Sequence, residues 1–204
     1  MFGFSKEEVK VFKTLNCPKK IQDFLNKIPT NYEKDGETVL SPRMVLKQNK
    51  AHCMEGAMLA ATALRFQGHP PLIVDLEAAK NDDDHVITVF KKYGHWGAIS
   101  KTNHATLRYR EPIYKTIREL VMSYFHEYFT NQDCKKTLRS YSRPINLSKF
   151  DKQGWMTAAE DPWYIPEYLS QIYHQTILNR SQIAFLRRAE DIERLAGSIL
   201  EWPK

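Results

Sequence analysis

The sequence predicts an α+β protein: a small antiparallel sheet packed against a central helix, with additional helices at both ends. Three observations predict it. Residues 55–66 (EGAMLAATALRF) are rich in Ala, Met and Leu and nearly apolar all round; they stop at Gln67-Gly68 before Pro70-Pro71, the pattern of a buried helix. Residues 72–76 (LIVDL), 85–90 (HVITVF) and 95–100 then follow as short strand-like runs, separated by polar or glycine-bearing turns. Segments of helical spacing flank this helix–strand–strand–strand core on both sides.

Taken in order, Ser5-Lys6-Glu7-Glu8 is a capping box that opens a first helix. Pro18 suits the first position of a second helix, whose Ile21, Phe24, Leu25 and Ile28 share a face. A polar stretch with a turn at Asp35-Gly36 leads to Ser41-Pro42, which starts a short helix carrying Met44, Val45 and Leu46. After the strands, Glu111-Pro112 opens a long helix over 113–129, with Ile117, Leu120, Val121, Tyr124, Phe125 and Tyr128 along one side. A short helix at 135–138, an aromatic-containing stretch to Trp163 and helices over 166–178 and 181–200 complete the chain. With no repeat, low-complexity tract or linker, residues 1–204 read as one domain, and 112–204 as a mainly helical extension on the same core.

Composition sets the limits. Hydrophobic residues are 42% and charged residues 26%, the balance of a soluble globular chain. No apolar run approaches the length of a membrane-spanning helix, and the first eight residues lack a basic and then apolar leader. The expectation is a cytoplasmic protein with no membrane partner. Cys17, Cys53 and Cys134 are widely spaced with no CxxC pair, which builds neither a disulfide framework nor a zinc knuckle. The net charge of +6 admits a polyanion partner. The basic residues nevertheless come as scattered pairs, such as Lys19-Lys20 and Arg187-Arg188, among acidic ones, so nucleic acid is the minority reading.

Cys53 stands where the polar run 47–50 gives way to the buried helix. A thiol there feels unpaired N–H groups and the positive end of the helix dipole, which favour the thiolate over its usual pKa of about 8.5. His85 leads a strand whose Ile87 and Val89 should share its face, expected to be the face that meets the helix. Sulfur and imidazole then meet at the end of the sheet, as activation of a nucleophile requires. With a four-residue loop at 91–94, Phe90 pairs with His95 and Ser100 falls opposite His85, where same-face neighbours lie about 4.5–5.5 Å apart. A hydroxyl does not neutralise imidazolium, so Asn103, three residues on, is the alternative acceptor for the ring N–H. Asp84 points away from its strand neighbour.

These residues resemble the transglutaminase-like superfamily, the papain-related group of transglutaminases, peptide N-glycanases and microbial amidases or peptidases. The resemblance runs from Cys53-Met54-Glu55-Gly56-Ala57 to Gly68-His69-Pro70-Pro71, resumes at residues 85–90 and ends at residues 94–100, within a proposed catalytic core of 48–103. It implies a papain-like fold with Cys53 as nucleophile, His85 as base and Trp96 in the place of the family's structural Trp. The family's Asp falls nearest Ser100, where this chain has no carboxylate. Gln48, five residues before Cys53, resembles the oxyanion-assisting Gln of papain-like enzymes. The implied function is cysteine-dependent acyl transfer, most simply hydrolysis of a peptide, protein or small amide, with no cofactor. The alternative is an inactive peptide-binding or assembly module on the same scaffold. Zinc on His52, Cys53, His85 and His104 lacks a short-spaced ligand motif. Arg108 and Arg110 alternate with Leu107 and Tyr109, so both guanidinium groups share a face that suits a carboxylate-bearing substrate or pairs with Asp82, Asp83, Asp84 and Glu111.

Overall fold

The computed structural model describes residues 2–203. The N-terminal part follows its local signals closely. Helix α1 (Lys6–Thr14) is capped by Ser5, whose hydroxyl accepts from the Glu8 amide while the Glu8 carboxylate takes the Ser5 amide. Helix α2 (Pro18–Lys27) starts on its proline, and α3 (Pro42–Gln48) is capped by Ser41. Helix α4 (Cys53–Phe66) is buried from Met54 to Leu64, as an all-apolar helix must be, with α1, α2 and α3 packed around it.

Among the described residues the sheet has seven strands, and every pairing is antiparallel. The expected three are β1 (Leu72–Ala78), β2 (His85–Lys92) and β3 (His95–Ile99). Four more come from the half read as mainly helical: β4 (Arg110–Tyr114), β5 (Leu138–Ser142), β6 (Ile145–Asn146) and β7 (His174–Thr176). The order is β4-β3-β2-β1-β5-β7, with β6 also on β1. The expected long helix over 113–129 is thus strand β4, helix α5 (Ile117–Met122) and a 3-10 turn (Phe125–Glu127). Pro112 fits because β4 is a sheet edge, where a missing N–H leaves no ladder bond unmade. Where 135–138 was expected to be helical, the chain enters β5. A 3-10 helix (Leu147–Gln153) occupies the looser stretch, and 166–178 divides into α6 (Tyr164–Gln171) and β7. The last expected helix is two short ones, α7 (Arg180–Phe185) and α8 (Asp191–Gly197).

The sheet separates two cores. Phe12, Ile21, Leu25, Met58, Leu59, Ile73, Phe90 and Trp155 fill the side of α4. Val74, Leu76, Ile87, Val89, Leu120, Tyr124 and Tyr128 fill the other. Strand β2 is buried on both faces, and the face that meets α4 is Val86, Thr88 and Phe90, with the Thr88 hydroxyl donating to the Ala57 carbonyl at 2.6 Å. Ile87 and Val89 therefore lie on the face opposite to the expected one. The β2–β3 turn also differs. Lys92 pairs with His95, so the loop is only Tyr93-Gly94, both at positive φ (52° and 81°), the geometry of a tight I′ hairpin. The architecture is a mixed α+β fold with an antiparallel sheet flanked by helices, and among the described residues no helix is long and apolar enough to cross a membrane.

Candidate functional site

A cavity of about 890 Å³ opens at the start of β2 and the start of α4, lined by His52, Cys53, His85, Lys101 and Asn103 among others. Two local features aim the sulfur into it. Cys53 is the first residue of α4, where backbone N–H groups have no carbonyl one turn back. A parallel bridge between Thr30 and Ala51 fixes the approach of the chain. Cys53 is half-buried. Burial pushes its thiol up, but hydrogen bonds from the His52 and His85 imidazoles, and their charges, outweigh this and bring it down to about 5.

His85 is 7% exposed, and its Nε2 lies 2.8 Å from Ser100 Oγ. The Ser100 hydroxyl spends its one proton on the Leu107 carbonyl at 2.5 Å, so toward the ring it acts as acceptor. That fixes the proton of a neutral His85 on Nε2 and leaves Nδ1 as the accepting nitrogen of the ring. Gln22 holds Ser100 in place from both sides: its Oε1 accepts from the Ser100 amide at 2.9 Å, and its Nε2 donates to the Ser100 carbonyl at 2.8 Å.

The other residues singled out in the sequence are distributed as follows. Asn103 lines the cavity, but its amide donates to the Tyr32 hydroxyl at 2.9 Å, and Ser100 takes the place at the His85 ring. Gln48 is exposed at the end of α3 and away from the cavity lining. Trp96 is the second residue of β3, four residues before Ser100, and its ring packs under the Lys91 ammonium at 5.5 Å. Arg108 donates to the His104 carbonyl at 2.8 Å and pairs with Glu201 at 3.2 Å. Arg110 pairs with Glu127 at 2.7 Å and stacks over Tyr124 at 4.1 Å. Both guanidinium groups thus pair with carboxylates other than those of Asp82, Asp83, Asp84 and Glu111. Their acceptors come from segments more than ten residues distant, which spacing along the chain does not reveal. Among the described residues no group of three His, Cys, Asp or Glu is disposed to hold a metal ion.

Three residues that the sequence does not group, His52, Glu55 and Lys101, surround the first turn of α4. His52 is the N-cap of α4 and takes part in a capping box with Glu55. Its Nε2 lies 2.9 Å from the Thr38 carbonyl and 3.4 Å from Glu55 Oε1. Glu55 is fully buried and accepts from the amides of Leu40 and His52, the Thr38 hydroxyl and the Asn31 side chain. Burial pulls the His52 ring down, but the hydrogen bond and charge of Cys53 and the charge of Glu55 hold it up at about 9. The available signal was Glu three residues after His52, a capping box with imidazole in the usual hydroxyl position. Lys101 is the third of them. It is 3% exposed and donates to the Ile28 carbonyl at 2.6 Å, and burial lowers its ammonium to about 8. Its stem crosses α4 at Gly56, where a Cβ would stand 2.3 Å from Lys101 Cβ.

No protein-family model matches the chain, and no curated protein matches it either. What the chain contains is a mixed α+β fold with one cavity lined by Cys53, His52 and His85.

Proposed function

We propose that the protein is a cysteine-dependent acyl-transfer enzyme of transglutaminase-like, papain-related type, acting as an amide or peptide hydrolase. The observation that supports this is the Cys53 thiol at the first position of α4, lining one cavity with a His85 ring whose Nε2 lies 2.8 Å from Ser100 Oγ.

The chemistry follows from those positions. The thiol proton passes to His85 Nδ1, and the sulfur attacks the carbonyl carbon of the substrate. Charge develops on the carbonyl oxygen at the N-terminal end of α4, whose positive dipole end suits an oxyanion. His85 returns the proton to the leaving nitrogen, the C–N bond breaks and a thioacyl enzyme forms. Water then loses a proton to His85 and attacks the thioester. The C–S bond breaks, and acid and thiol are released. The hydroxyl of Ser100 orients the ring without neutralising it, and that uncharged third group supports the alternative of a peptide-binding module with little or no turnover.

A peptide chloromethyl ketone and iodoacetamide, each with mass-spectrometric readout, decide the matter. Cys53 should be alkylated at pH 6 at least tenfold faster than Cys17 or Cys134, a ratio that follows from one unit of pKa separation. The His85→Gln variant should lose most of that advantage toward the ketone. Equal rates at all three thiols would defeat the enzyme reading and the binding module would stand.

A further inference from the structure

The carboxylate that Arg108 holds belongs to a strap of the chain itself, residues 199–202. We propose that residues 103–108 are a subsite for an extended, carboxylate-bearing peptide substrate, and that the strap occupies it until such a peptide takes its place. This rests on the acyl-transfer reading and names the substrate class of the same cavity.

The geometry along the cavity wall carries the inference. Asn103 and His104 line the cavity that Cys53 and His85 share, and Gly197, the last residue of α8, lines it too. From there the strap runs antiparallel to the cavity wall, with Leu200 paired to His104. The Ala105 amide donates to the Ile199 carbonyl at 3.1 Å, and the Glu201 amide donates to the Asn103 carbonyl at 2.7 Å. These are the bonds by which an extended peptide adds to a backbone edge, whatever its side chains. Side chains follow the same path. His104 Nδ1 lies 2.9 Å from the Gly197 carbonyl, the Asn103 amide lies 3.5 Å from the Trp202 carbonyl, and Arg108 meets Glu201 at 3.2 Å. The strap thus displays what a substrate needs here: an extended backbone, and an acidic side chain for the Arg108 guanidinium.

The strap is held as an occupant rather than as part of the core. Among the described residues, none of 199–202 enters either hydrophobic core. Ile199 is 60% exposed and Leu200 39%. Trp202 Nε1 is buried without an acceptor, and Thr30 Oγ1, on the cavity lining, is buried without a partner. Buried polar groups of a settled fold are nearly always paired, so one unmet group on the strap and one on the lining mark an imperfect fit. The Arg108–Glu201 pair is itself partly exposed, where an ion pair contributes little. Few apolar contacts, two backbone bonds and a solvated ion pair belong to the low end of local stability, from which moving segments are drawn. A peptide that repeats the two backbone bonds and the carboxylate replaces the strap without loss of a hydrogen bond.

The test compares two electrophiles on the full chain. Glu201→Pro removes both the amide that bonds to Asn103 and the carboxylate that meets Arg108, in a segment outside both cores, so the fold should survive. Acetyl-Leu-Glu-Trp chloromethyl ketone, which copies the strap, should then alkylate Cys53 about fivefold faster or more than in the wild type. Iodoacetamide is too small to need the subsite and should keep its rate within about twofold. In the variant the Glu ketone should outpace its Gln counterpart by about threefold, a preference that Arg108→Gln abolishes. An unchanged ketone rate, equal acceleration of both reagents, or no preference for Glu overturns the inference and leaves the acyl-transfer reading intact. Cys53 no faster than Cys17 toward iodoacetamide in the wild type overturns both. If Glu201→Pro does not fold, Glu201→Gln decides. It keeps the backbone bond and frees Arg108, so the Glu ketone should gain on the Gln ketone relative to the wild type, and no gain overturns the inference.

Discussion

Two imidazoles, one buried and one half-buried, begin strands of the same sheet and are held in opposite ways. His85 opens β2 and meets the neutral Ser100 hydroxyl at 2.8 Å. His174 opens β7 and meets the Asp75 carboxylate at 3.0 Å, with its other nitrogen 3.0 Å from the Ile172 carbonyl. Both nitrogens of His174 face oxygen acceptors, so the His174–Asp75 pair needs one proton more than a neutral ring and a carboxylate supply. That pair locks a proton in place and ties β7 to the sheet. His85 keeps one nitrogen uncommitted to the fold, and only such a ring can change charge as a substrate reacts. The difference teaches that a His–Asp pair is here the structural arrangement, and the less strongly held histidine is the better candidate for chemistry.

The sharpest way to break this contrast is to exchange the two rings for amides. His85→Gln should lower acyl transfer, or alkylation by a substrate-like electrophile, by about 10²–10⁴-fold with little change in melting temperature. His174→Gln should do the reverse, lowering the melting temperature with the alkylation rate of Cys53 within about twofold, since it removes one charge-assisted hydrogen bond worth about 1.5–3 kcal/mol. Comparable loss of activity from both would erase the distinction. A smaller effect separates orientation from charge: Ser100→Ala leaves the His85 N–H without its partner and should cost about 1–3 kcal/mol of stability, with a rate reduced by about tenfold. A Ser100→Ala variant with unaltered rate, measured beside its unfolding curve, would show that the hydroxyl only fills space.

The sequence made the His85–Ser100 contact legible by a partly mistaken route. The loop between β2 and β3 is two residues, not four, so the ladder places Thr88 opposite Ile99 and the next position, Ile87, opposite Ser100. A shift of two preserves the face of every side chain, whereas a shift of one would have reversed it. Ser100 therefore stayed on the side of His85 as a diagonal neighbour. The turn escaped because Tyr93 adopts positive φ without the Asn or Asp that usually signals it. Helix α4 was legible because Ala, Met and Leu alone decide it. The half beyond residue 110 was not. Ile117, Leu120, Val121 and Tyr124 do bury one face, but at Ile113 the chain is strand and 68% exposed. Short strands such as β7, three residues long, exist only because the sheet is there to receive them. The carboxylates that meet Arg108 and Arg110, Glu201 and Glu127, belong to that same half.

The smallest expected effect is also the one with the clearest sign. Burial, with the charge of Asp84, pushes the Asp75 carboxyl up from 3.8 to about 6, against the opposing pull of His174. Between those values the folded protein binds a proton at Asp75 that the unfolded chain has already released, so stability falls as pH rises through the window. The geometry agrees: loss of the proton leaves two acceptors 3.0 Å apart. Asp75→Asn removes the titration and supplies an amide that donates to His174 Nε2, while Nδ1–H keeps the Ile172 carbonyl. Melting curves across the window should show the wild type losing up to about 2 kcal/mol relative to the variant as pH rises from 4 to 6.5, with the two profiles parallel above that. Should wild type and Asp75→Asn run parallel throughout, the proton is not shared between Asp75 and His174. The contrast with His85 would then lie in burial alone.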